Sequence, residues 1–200
     1  NINDTPVISG LPDKTLNEED NMQPALNLLN YITDADTEDT IWSFIISNNT
    51  DTGCGAIIAG GTNLDLTPAP DWFGYSEVTI RVTDSQGAYS EDTLKVTVYN
   101  VNDTPIISGL PDVSLDEDET KDNAIDLWSY SSDADSANSQ LTYSISGYDT
   151  GCGVSIDSNR HIDINPSSDW YGYTDVTARV TDSDGVYNED IFRITVNSIN

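Results

Sequence analysis

Positive charge is scarce in this 200-residue chain: 7 Lys and Arg stand against 35 Asp and Glu, a formal net charge of −28. Such a surface repels a phosphate backbone, which excludes nucleic acid as a partner. Histidine is scarcer still. His161 stands alone, and no nucleophile–base pair is suggested beside it. There are two cysteines, Cys54 and Cys152, each inside the phrase DTGCG. Matching positions in tandem copies lie a domain apart, beyond the roughly 7 Å between Cα atoms that a disulfide tolerates. One Cys per domain is also too few soft ligands for zinc. Both read as small buried hydrophobes in a Gly-flanked loop. No apolar run is long enough for a membrane span, and no basic-then-apolar stretch resembles a signal peptide. Because the chain opens inside a repeat, it reads as a piece of something longer. Apolar residues at helical spacing are missing too. Disorder, the usual reading of so acidic a chain, fits badly, because Trp, Tyr, Ile, Val and Leu alternate with polar residues throughout.

What is present is a duplication. TPVISGLPD (5–13) returns as TPIISGLPD (104–112), and YITDAD (31–36) as YSSDAD (130–135). DTGCG recurs at 51–55 and 149–153, and LTPAPDWFGYSEVTIRVTDSQGAYSED (66–92) as INPSSDWYGYTDVTARVTDSDGVYNED (164–190). The joint phrase NINDTP (1–6) returns as NVNDTP (100–105). Two units are expected, 1–99 and 100–200, joined at 100–105. Within each the apolar period is two, as in Val78, Ile80 and Val82, or Leu94, Val96 and Val98. The turn signals LPD, GG, PAPD, SQG and SDG separate about seven short strands per unit. In the first unit these are expected at Val7–Ser9, Ala25–Tyr31, Thr40–Ser47, Ala56–Ala59, Leu64–Thr67, Glu77–Asp84 and Asp92–Val101. The spacing predicts an all-β chain of two tandem antiparallel sandwiches.

The acids recur with the strands. Glu18 is matched by Glu117, Asp34 and Asp36 by Asp133 and Asp135, Asp71 by Asp169, and Asp84 by Asp182. The joints add Asn3 and Asp4, then Asn100, Asn102 and Asp103. Residues two apart on an extended segment project to one side, so each Asp-x-Asp can aim both carboxylates at one point. Calcium takes six to eight oxygens from such groups, whereas magnesium demands a tighter octahedron and keeps its water. Gathering these carboxylates with no cation costs several kcal/mol in repulsion. An EF-hand does not account for them: DADTEDT lacks the loop glycine, and DSDG carries its glycine early.

In this order of acids and joint the chain resembles the cadherin repeat. That family has a Glu near the first strand, a DxD after the second, a carboxylate before the penultimate strand, an Asp at that strand's end and a DxNDxxP linker. The phrases DWFG, DWYG and VNDTP look most like bacterial or archaeal cadherin-like repeats. The resemblance implies seven-stranded Greek-key sandwiches, immunoglobulin- or cadherin-like, with Ca²⁺ bound where consecutive units meet. Glu18, Asp71, Asn100, Asn102, Asp103, Asp133, Asp135 and Asp182 would then serve one junction. Asn3, Asp4, Asp34, Asp36 and Asp84 would serve half of an upstream one, and Glu117, Asp169 and Asn200 half of a downstream one. Two departures stand out. The linker opens with Asn100 instead of Asp, and Phe73 stands where a second acid is expected. The Trp-exchange strand of animal cadherins is absent, so homophilic adhesion does not carry over. The implied role is a calcium-stiffened spacer or adhesion segment of a large extracellular or cell-surface protein. Its partners would be neighbouring repeats, and a surface protein or polysaccharide.

Catalysis is not expected, because duplicated carboxylates point to structure instead of a single reacting site. Carbohydrate binding is the rival reading, as an accessory module of a secreted polysaccharide-acting protein. Trp72 and Trp170 are then candidate sugar-stacking rings. Their alternative is to cap the core beside a Gly turn, as large aromatics are mostly buried.

Overall fold

A computed structural model describes residues 3–35 and 42–199. It divides into two compact units, Asn1–Val101 and Asn102–Asn200.

In the first unit the chain starts with β1 (Val7–Ile8) and β2 (Lys14–Asn17). They are two pieces of one strand position. β1 pairs with β4 (Ile32–Thr33), the continuation of β3 (Met22–Asn27), while β2 pairs in parallel with β9 (Tyr89–Tyr99). The four-stranded sheet has the order β2-β9-β8-β5, with β5 at Ser43–Asn49 and β8 at Gly74–Thr83. The three-stranded sheet has the order β3-β7-β6, with β6 at Ala56–Ala59 and β7 at Asn63–Leu66. Taking the two interrupted strands as one each gives seven, the immunoglobulin-type sandwich expected.

The crossing from β1 to β2 explains TPVISGLPD. Leu11 is buried, and its N–H is accepted by Asp92 at 3.0 Å; Ser90 accepts the N–H of Ile8 at 3.0 Å. Asp13 in turn accepts the N–H of Lys95 at 2.8 Å. Polar residues of β9 and the LPD turn thus satisfy backbone groups that the switch of sheets leaves unpaired.

The second unit repeats this plan. β10 (Ile106–Ile107) pairs with β13 (Ser131–Ser132). β11 (Val113–Asp116), β18 (Tyr187–Asn197), β17 (Gly172–Thr181) and β14 (Thr142–Ser146) form the four-stranded sheet. β12 (Lys121–Asp126), β16 (His161–Ile164) and β15 (Val154–Ile156) form the three-stranded one. Each sandwich closes on its own core: Leu64, Leu66, Val78, Ile80 and Leu94 are fully buried in the first, as are Ile162, Ile164, Val176 and Ile194 in the second. Burying each such side chain contributes about 1.5–3 kcal/mol.

Of the expected strands in the first unit only Ala56–Ala59 keeps both bounds; most others shift by one to three residues. The segment Ala25–Tyr31 is strand only to Asn27. There the Asn27 side chain accepts the N–H of Leu29 at 3.1 Å and turns the chain into a 3₁₀ helix over Leu28–Tyr31. The last strand begins at Tyr89, not Asp92, because Ser90 and Asp92 pair with β8 while serving the first strand. Glu77–Asp84 lengthens at its start to Gly74 and ends at Thr83. The opening of the expected strand Thr40–Ser47 lies outside the described residues, as does Asp36.

The phrase DTGCG forms a 3₁₀ turn in both units, over Thr52–Cys54 and Thr150–Cys152. Asp51 and Asp149 cap it by accepting the N–H of Gly53 and Gly151, each at 2.8 Å. Cys54 and Cys152 are buried and free, as the sequence suggested. The glycines have separate reasons. A Cβ on Gly53 would lie 2.3 Å from the indole Cδ1 of Trp72, and one on Gly151 2.3 Å from that of Trp170. Gly55 and Gly153 hold left-handed φ values of 64° and 62°, pressed on the carbonyls of Thr67 and Asn165.

Candidate metal centre

The strand directions sort the acids to the two ends of each sandwich. Glu18 follows β2, whose last pair is Asn17 with Tyr99, so it lies where β9 ends. Asp84 follows β8, whose last pair is Thr83 with Tyr89, so it lies where β9 begins. Asp34 follows β4 and stands near the joint that precedes β1, because Val7 pairs with Thr33.

At the end of the second unit where its chain enters, five expected ligands come together. The Asn102 amide donates to Asp182 Oδ2 at 2.9 Å and to the Asp103 carbonyl at 2.9 Å. The N–H of Asp103 donates to Asp135 Oδ2. Asp133 Oδ1 accepts the N–H groups of Asp135 and Ser136, closing the DAD turn. Asp182 Oδ1 accepts from Asp184 at 2.9 Å and Val186 at 2.8 Å, closing the SDG turn. The Asn102 amide first, then those backbone N–H groups, holds the Asp182 carboxyl below the usual carboxylate range.

The first unit repeats the pattern at Asn3 and Asp84. Asn3 donates to Asp84 Oδ2 at 2.9 Å, while Asp84 Oδ1 accepts from Gln86 and Ala88. Asp84 is lowered by the Asn3 amide above all. Asp4 and Asp34 line one open groove of about 420 Å³ with Thr5, Val7, Thr33 and Ala35.

The opposite ends carry one buried glutamate each. Glu18 Oε1 accepts the N–H of Val101 at 2.7 Å, and Glu117 Oε1 that of Ile199 at 2.7 Å with the Ser198 hydroxyl at 3.2 Å. Asn100 is exposed. Asp71 and Asp169 are exposed as well, each in a left-handed turn at φ 58° just before the penultimate strand. The turn explains a short polar residue there, since Asp tolerates this backbone conformation.

A set of buried oxygens finds no hydrogen-bond donor: Asn3 Oδ1, Glu18 Oε2, Asn102 Oδ1, Asp133 Oδ2 and Asp135 Oδ1. Trp42 Nε1 and the Tyr143 hydroxyl are similarly unpaired; Trp42 adjoins Ser43, which pairs with Thr83 beside Asp84, but its indole N–H is a donor and no cation ligand. Leaving one buried polar group unsatisfied costs roughly 1–3 kcal/mol, and more for a charge. All five oxygens belong to residues that the sequence marked as ligands. They are hard carboxylate and amide donors, and they fit a hard cation. Among the described residues no three His, Cys, Asp or Glu side chains already stand in a metal-binding group. The carboxylates instead hold N–H groups with one oxygen and keep the other back. Sequence reasoning missed Ser136, whose N–H fixes the Asp133 rotamer, and its position one past DAD was the available signal.

Trp72 and Trp170, the candidate sugar-stacking rings with core capping as their alternative, are half-buried against their cores, lying over Gly53 and Gly151. His161 opens β16, its Nδ1 3.4 Å from Asp157 Oδ2, while Asp157 Oδ1 accepts the His161 N–H at 2.7 Å. Among the described residues no helix is long and apolar enough to cross a membrane.

The sequence model of the family described as Bacterial Ig domain matches residues 3–97 and again 102–197. No curated protein matches the sequence. Among solved structures, human mucin-like protocadherin EC1-2 is similar at a TM-score of 0.59 and 14% identity, over 97% of this chain and 98% of that one. Human CDH23 EC21-23 gives 0.60 and 17%, over 96% and 69%. Human protocadherin-24 EC1-2 gives 0.58 and 17%, over 99% and 100%. Such identities speak to fold alone. With the family matched over nearly its whole length, the chain belongs to the bacterial Ig domain family, as two tandem copies with the fold of cadherin ectodomain repeats.

Proposed function

We propose that the two domains form a calcium-binding spacer or adhesion segment of an extracellular or cell-surface protein, with Ca²⁺ stiffening the joint between them. The observation that carries this is the set of buried, donorless oxygens on Asn3, Glu18, Asn102, Asp133 and Asp135. A bound divalent ion supplies what they lack and offsets the net charge of −28. Asn102, Asp103, Asp133, Asp135 and Asp182 would hold it from the second unit, and Glu18, Asp71 and Asn100 from the first and the linker. Asn3, Asp4, Asp34, Asp36 and Asp84, and likewise Glu117 and Asp169, would serve the outer ends in the same way. Calcium supplies charge and coordination only, and no reaction is assigned to the site. The duplicated fold, in a family of structural modules, supports a non-enzymatic role.

Small-angle scattering in EDTA and in excess calcium tests the stiffened joint. The doublet should be flexible without calcium and lose that flexibility with it. Asp103→Ala should keep it flexible in calcium while both units stay folded. Identical scattering in the two buffers sinks the proposal.

A further inference from the structure

The outward side of each four-stranded sheet carries most of the basic residues, each set over a ring. Arg81 lies 4.2 Å from the Tyr89 centroid and pairs with Glu91 at 2.9 Å. Arg179 does the same with Tyr187 at 3.8 Å and Glu189 at 2.7 Å. These contacts are alike in the two units. One step along the strands the units part.

In the second unit Arg193 lies over Tyr173 and grips Asp175 through two hydrogen bonds, at 2.8 and 3.1 Å. Tyr148, just before the DTGCG turn, packs half-buried on the core. In the first unit Lys95 lies 4.6 Å from the Tyr75 centroid, but among the described residues Glu77 enters no ion pair. Thr50 stands where Tyr148 does, and an open groove of about 380 Å³ results, lined by Thr50, Asp51, Tyr75 and Glu77.

Hydrogen bonds brace the walls of the groove. Ser76 is fully buried; its hydroxyl accepts the Asp51 N–H at 2.9 Å and donates to Asn49 Oδ1 at 2.6 Å. Thr50 Oγ1 accepts the N–H of Glu77 at 2.8 Å. Tyr75 is 64% exposed, and Tyr99, on the same outward side two residues past its partner Thr97, is 57% exposed.

The two carboxylates only accept hydrogen bonds, and Thr50 already accepts one. A ligand for this groove must therefore donate, and it cannot be anionic. The Tyr75 ring already faces the Lys95 ammonium, which repels a second cation. A chain of neutral sugars meets all three conditions, because its hydroxyls donate at the edges and its C–H faces suit an aromatic ring.

We propose that the Thr50–Asp51–Tyr75–Glu77 groove of the first unit binds a neutral polysaccharide, with a sugar ring on Tyr75 and hydroxyls donated to Asp51 and Glu77. The inference is independent of the metal reading and is tested in EDTA. Affinity electrophoresis of the whole chain in a soluble β-glucan, a xylan or a mannan should show retardation in at least one gel and none in polygalacturonate. Tyr75→Ala and Glu77→Gln should each weaken binding about tenfold. Tyr173→Ala in the second unit should leave it unchanged and controls for general loss of surface rings. Failure of all three neutral glycans overturns the proposal, as does an equal loss from Tyr173→Ala. So does an oligolysine whose affinity falls with Tyr75→Ala while the neutral glycans do not bind.

Discussion

Calcium added to the EDTA-treated protein should raise its thermal midpoint by roughly 10–20 °C. A ligand that binds only the folded state at 100 times its Kd stabilises by about 2.7 kcal/mol. In a domain of this size each kcal/mol moves the midpoint by about 4–8 °C. The response should come from the buried oxygens of Asn102, Asp133 and Asp135, so Asp135→Asn should blunt it. Magnesium should do less, because it sheds water reluctantly and these ends do not offer a tight octahedron. Acid sets the lower bound. The Asp84 and Asp182 carboxyls lie below their ordinary value of 3.8 when folded. A group lowered in this way contributes stability that is complete above 3.8 and lost as pH falls through the folded value. The measurement therefore belongs near pH 7, by calorimetry. Equal midpoints in EDTA and in millimolar calcium would falsify metal binding altogether, whatever the scattering shows.

Gly55→Ala should be the most damaging single substitution of a surface-turn residue. A Cβ there would sit 1.6 Å from the Thr67 carbonyl oxygen and 2.2 Å from its carbon, both backbone atoms. The turn must move, and with it Asp51, Cys54 and the glycine seat of Trp72. Mutations that force a packed backbone apart fall in the tail of about 4 kcal/mol or more. Set against a typical stability of about 5–15 kcal/mol, that endangers the whole first unit. Gly10→Ala is the matched control. Its φ is 75°, but nothing lies within 4 Å of the added carbon, so it carries only the left-handed cost of about 1–2 kcal/mol. Urea unfolding followed by tryptophan fluorescence compares the two, and equal losses would show that the Thr67 contact does not matter.

Much of this was legible in the sequence because it was written twice. A period of two with its turn signals gives the β-sandwich, and the recurrence of Glu18, Asp34, Asp84 and the joint marks both ends. β2 was not legible. Its four residues, KTLN, bury only Leu16, too few to show alternation, and its pairing comes from β9. Leu28–Leu29–Asn30–Tyr31 looked like strand because it is apolar, but one side-chain oxygen on Asn27 redirects it. For Trp72 the sequence offered the core cap beside a Gly turn, but not its seat. Sequence shows an aromatic beside a turn, but only the fold shows that Gly53 lies beneath the ring. The neighbouring Tyr75, which carries no such seat, was overshadowed by it.

The parallel pairing of β2 with β9 has a mechanical consequence. A pull on the two ends of one unit drags Lys14–Asn17 one way and Val96–Tyr99 the other. Their hydrogen bonds then lie across the line of force and must yield together, as in a lap joint, instead of peeling one by one. Forced unfolding is governed by the unfolding rate, so single-molecule stretching should find each unit resisting with one sharp rupture. A gradual, low-force opening would mean that those four rungs are not what bears the tension.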